Sequence, residues 1–127
     1  MKLLSYISTV LVLVLLVTAC NQKPNIDISK ALGQTREILN DLDDVETTAA
    51  SFNGESDVKF RLMVEGHPTE EKAIYLFDKV LETITKSSNQ SDVWDFYNGY
   101  FDIKSYDNGI KYEATKLMGE DINISSN

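Results

Sequence analysis

The spacing of apolar residues constrains this chain most, because it changes period three times after position 26. Ile28, Ala31, Leu32, Thr35, Ile38, Leu39 and Leu42 recur at three- and four-residue intervals, which lays one stripe along a helix of 27–42. Asp27 or Asn25 is the candidate cap for its start, and Asp41, Asp43 and Asp44 mark its end, where negative charge opposes the helix dipole. Ala73, Leu76, Phe77, Val80, Leu81 and Ile84 form a second such stripe over 70–86. Thr69 is its expected N-cap, with Glu70 and Glu71 in the first turn.

Between and after these stripes the period drops to two. Val58, Phe60, Leu62 and Val64 alternate with Lys59, Arg61 and Met63, as a strand with one dry and one wet face does. The Asn53-Gly54 pair joins it to a strand over Val45–Phe52. Of that strand, either Glu46, Thr48, Ala50 and Phe52 or Val45, Thr47, Ala49 and Ser51 face inward, and the pattern leaves both registers open. Asn98-Gly99 reads as a bulge or an extra turn. Beyond it, Phe101 and Ile103 alternate with Asp102 and Lys104, Asp107-Asn108-Gly109 turns the chain, and Ile110, Tyr112 and Ala114 line the returning strand. The order α-β-β-α-β-β predicts an α+β domain over 27–118, with a four-stranded, mainly antiparallel sheet covered on one face by two helices. Residues 119–127 (GEDINISSN) are expected to form a flexible tail.

Residues 1–19 read as a signal peptide. Lys2 is its only charge, and the uninterrupted apolar core Val10–Val17 spans eight residues. That core is roughly 12 Å long as a helix, against about 30 Å of hydrocarbon in a bilayer, so cleavage fits better than retention as a span. The ending Val17-Thr18-Ala19-Cys20 resembles the bacterial lipobox, in which the cysteine thiol receives a diacylglyceryl group and becomes the new N-terminus. The resemblance implies a chain held on the extracytoplasmic face of the cell membrane through acylated Cys20, with residues 20–26 as lipidated cysteine and tether. Two acyl chains supply stable anchoring. Asn21 gives no acidic retention signal beside the cysteine.

The composition excludes several kinds of chemistry. Cys20 is the only cysteine, which removes disulfide scaffolds and multi-cysteine metal sites. The net charge of −8 already counts Lys2, so the part behind the leader is more acidic still and lacks the positive footprint of a nucleic-acid binder. His67, the one histidine, sits between Gly66 and Pro68, where an imidazole more often caps or faces water than reacts. Asp41, Asp43, Asp44 and Glu46 are densely acidic but lack the 12-residue ligand spacing of a calcium loop, and read as a solvated turn. No nucleophile elbow or phosphate-binding loop is present, so neither enzyme activity, cofactor nor metal is expected.

The aromatic run is the richer signal. Trp94, Phe96, Tyr97, Tyr100, Phe101, Tyr106 and Tyr112 exceed what a small core needs, and strand alternation sends some of them outward. Trp94, Tyr97 and Tyr100 flank a polar loop and a glycine, which makes them the candidate partner-binding residues, with Phe101 and Tyr112 assigned to the core.

Through VTAC, FRLMVEGHPTEEKAIYLF and YFDIKSYDNGIKYEATKL the whole chain resembles the small lipoproteins of Bacillus-type bacteria, some of which are carried on mobile elements. That group has no single function. Surface exclusion during conjugation is one role within it, and immunity to a secreted toxin is a related one. The resemblance implies a non-enzymatic lipoprotein that binds another envelope protein. The alternative is an accessory lipoprotein that binds a small ligand or peptide, which calls for a concave apolar pocket.

Overall fold

The computed structural model describes residues 25–127, so the leader, the lipobox and Cys20 lie outside the described residues. Helix α1 (Ile28–Asn40) starts where the Asp27 carboxylate accepts the Lys30 amide at 3.1 Å. It buries Ile28, Ala31, Leu32, Thr35 and Leu39 of the expected stripe, whereas Ile38 is 52% exposed and Leu42 lies beyond the helix end. Strands β1 (Thr47–Phe52) and β2 (Asp57–Val64) form an antiparallel hairpin. Its turn is held by Asn53, whose Oδ1 accepts the amides of Glu55, Ser56 and Asp57 at 2.9, 3.0 and 3.0 Å, while Gly54 takes φ +87°. Helix α2 (Glu70–Ser88) is capped by Thr69 and ends at Asn89 in the left-handed region, φ 54°. A single 3-10 turn, Val93–Asp95, leads into β3 (Asn98–Ser105), then β4 (Gly109–Lys116) and β5 (Asn123–Ser126).

The sheet has five strands in the order β1-β2-β3-β4-β5, which corrects the four-stranded α-β-β-α-β-β expectation. The fifth strand comes from the segment expected to be a flexible tail. Asn123–Ser126 pairs antiparallel with β4, and Ile122 and Ile124 pack against the core. Two apolar residues among polar ones are a weak signal alone, yet a neighbouring edge with unpaired amides is enough to hold them. Asn98-Gly99 opens β3 instead of forming a turn.

The β2–β3 pairing is parallel, and the other three are antiparallel. The length of α2 explains this. Its 19 residues span about 28 Å, close to the length of an eight-residue strand, so the helix returns the chain to the start of β2 before β3 begins.

Both helix stripes and the inward strand residues merge into one core, with Phe77, Leu76, Val80, Ile84, Leu62 and Ile103 almost fully enclosed. The register of β1 is settled here: Thr48 is buried, Ala50 and Phe52 pack against the core, and Ala49 and Ser51 are exposed. Helix α1 enforces this choice. Arg36 Nη2 donates to the Thr48 carbonyl at 3.0 Å, and the Thr48 hydroxyl donates to Asn40 Oδ1 at 2.8 Å. Phe52 then meets Tyr97 edge-on at 5.7 Å.

Candidate functional site

Because both helices pack on one side, the outward residues of all five strands share an uncovered face. The register aligns them in rows: Ala49, Arg61, Asp102, Glu113 and Ser125 in one, and Ser51, Lys59, Tyr100, Thr115 and Asn123 beside it. Together they line an open groove of about 590 Å³.

A bidentate ion pair crosses its middle, with Arg61 Nε donating to Asp102 Oδ1 at 2.7 Å and Nη2 to Oδ2 at 2.9 Å. The hydrogen bond to Asp102 holds the Arg61 guanidinium above its ordinary pKa, against a smaller desolvation effect. The two side chains remain 39% and 21% exposed, so the pair fixes geometry more than it adds stability. Glu113, next to Asp102 in the same row, and Lys59, in the adjoining row, have no ion-pair partner among the described residues. Tyr100, 38% exposed, stands between Lys59 and Thr115 across the strands. A rigid ring beside free donors and acceptors is a recognition surface, because the sheet fixes these groups before any ligand arrives.

Of the three aromatic candidates, only Tyr100 is on this face. Trp94 and Tyr97 are buried at 9% and 7% exposure. The 3-10 turn at Val93–Asp95 directs Trp94 inward, where its Nε1 donates to the Leu81 carbonyl at 3.3 Å and its ring meets Phe101 edge-on at 5.8 Å. Burial raises the Tyr97 hydroxyl pKa. Phe101 and Tyr112 are core residues, as their alternation predicts. The Tyr112 hydroxyl donates to the Pro68 carbonyl at 2.8 Å and so pins the turn before α2, while His67 beside it is exposed.

In the acidic turn, Asp44 pairs with Lys72 at 2.6 Å. Among the described residues no group of three or more His, Cys, Asp or Glu is placed to hold a metal ion, and no helix is long and apolar enough to cross a membrane.

The groove residues Lys59, Arg61, Asp102 and Glu113 escaped the sequence reading as site residues. Their signal was present as the wet half of each alternating strand, but alternation alone does not say whether that half is covered by another layer. No protein-family model and no curated protein sequence matches the chain.

Proposed function

We propose that the chain is a lipid-anchored, extracytoplasmic protein that binds another envelope protein through the open face of its sheet. The observation that carries the binding role is the groove across that face, where Tyr100 stands beside Lys59 and the Arg61–Asp102 pair with no helix above them. Anchoring rests on the lipobox-like Val17-Thr18-Ala19-Cys20 ending of the apolar leader. Surface exclusion or toxin immunity would be the specific form of the activity, since both need a lipoprotein that engages a protein at the membrane and no chemical step. The groove is open, and Lys59, Arg61, Asp102 and Glu113 are among the residues that line it. A protein surface suits it better than the small ligand or peptide of the alternative reading, which calls for a concave apolar pocket.

The test is in-cell crosslinking and capture, with the wild type compared with Tyr100→Ala and Cys20→Ser. Cys20→Ser is expected to lose acyl labelling and stable membrane attachment. Tyr100→Ala is expected to stay at the membrane at normal levels and to capture on the order of tenfold less of one envelope protein, within what a single interface tyrosine carries. Unchanged capture by Tyr100→Ala would remove the open face as the binding surface.

A further inference from the structure

Strand β5 ends the sheet on one side, and half of its backbone is unused. The Asn127 amide donates to the Lys111 carbonyl at 2.9 Å, which makes those two a hydrogen-bonded pair. By the alternation of an antiparallel ladder, Ser125 with Glu113 and Asn123 with Thr115 are bonded pairs too. The amides and carbonyls of Ile124 and Ser126 therefore point outward. Proteins usually protect such an edge with charge, proline or a bulge. Asn123–Ser126 has no charged residue and no proline, and its register with β4 is unbroken. Ile124 is only partly buried, so the core face is also open at this margin.

We propose that β5 pairs antiparallel with β5 of a second copy, about a two-fold axis through Ile124. The sequence is self-complementary in that register. Ile124 meets Ile124 of the second copy on the core side, and their backbones exchange two hydrogen bonds. Asn123 lies opposite Ser125 of the second copy on the open-face side, and Ile122 lies opposite Ser126. Two neighbouring registers also keep the outward groups in phase. One sets Ile124 against Ser126 and leaves the isoleucine without an apolar partner. The other sets Ile124 against Ile122 but runs the strand against Glu120 and Asp121, which precede β5 and carry charge. Such an isologous contact closes on itself as a dimer. Asn123 and Ser125 also line the groove, so the joint fuses two five-stranded sheets and makes their grooves continuous.

The joint is short and falls well below the roughly 1,200 Å² of a stable interface. The net charge of −8 on each copy opposes association, so added salt strengthens it. Confinement to a bilayer, if the anchoring reading holds, raises the effective concentration without changing the contact.

The experiment uses the full chain in detergent, carrying Cys20→Ser, as two variants: Asn123→Cys and Ser125→Cys. Each is oxidised alone and in equimolar mixture with copper-phenanthroline. Positions 123 and 125 of opposing copies form a non-hydrogen-bonded pair with Cα atoms about 4.5 Å apart, within reach of a disulfide. The mixture is expected to give on the order of tenfold more covalent dimer than either variant alone, because only the mixture places two thiols directly opposite. Random collision, including contact through the leaders, yields dimer equally in all three samples. Equal yields, or no dimer in the mixture, would overturn the proposal. Ile124→Pro added to both variants removes an outward amide and spares the ladder to β4. It is expected to return the mixture to background, and a yield that survives it also overturns the register.

Discussion

Trp94→Ala is expected to lower the unfolding free energy by about 3–5 kcal/mol, the cost of emptying a large aromatic site in a core. Tyr100→Ala is expected to change it by no more than about 0.5 kcal/mol. The two aromatics lie six positions apart, and their surroundings decide the difference. Trp94 packs edge-on against Phe101 and donates from its indole nitrogen to Leu81. Its own carbonyl accepts the Gly119 amide at 3.2 Å, so the residue also ties the 3-10 turn to the end of β4. The Tyr100 ring, by contrast, stands on the uncovered face. For a domain with about 5–15 kcal/mol of total stability, the first substitution removes a large share. Urea unfolding midpoints of the two variants check this. Similar midpoints would mean that Trp94 is not part of the core.

Gly99→Ala is the second substitution with a large expected effect. A Cβ at this position would overlap Cζ of Phe101 and come within 3.0 Å of Cε1 and Cε2. The Phe101 ring lies across the glycine and has little room to retreat, being 3% exposed and stacked edge-on against Trp94. The expected cost is about 1–3 kcal/mol, as for other overpacked cores. Phe101→Leu shortens the obstructing side chain. In a double-mutant cycle the two substitutions are therefore expected to couple, with Gly99→Ala costing less in the Phe101→Leu background. Additive costs would show that backbone conformation, and not the ring, requires glycine here.

These aromatics also show where the sequence was legible. Both helices follow from their stripes because each buries one face against a sheet, and Thr69 and Asp27 cap them as expected. The β1–β2 and β3–β4 hairpins follow from Asn53-Gly54 and Gly109, which takes φ +75°. Phe101 and Tyr112 fall inward by alternation. Trp94 was misplaced because the three-residue turn that buries it has no periodicity to read. Tyr97 was misplaced because its inward direction is set by contact with Phe52, 45 residues earlier. β5 was hidden because its stability comes from the β4 edge, a long-range partner that a local pattern does not show. The candidate site was half legible. Its polar residues are the expected wet halves of strands, but only the packing of both helices on the opposite side leaves them uncovered.

The most direct test of binding through the open face is site-specific photo-crosslinking in intact cells. A benzophenone side chain is placed at position 100 in the groove, or at position 75 on the outer surface of α2, where Tyr75 is 45% exposed. One discrete adduct with an envelope protein is expected from position 100 and none from position 75. An adduct from position 75 with none from position 100 would contradict binding through the open face and move the binding surface to the helices.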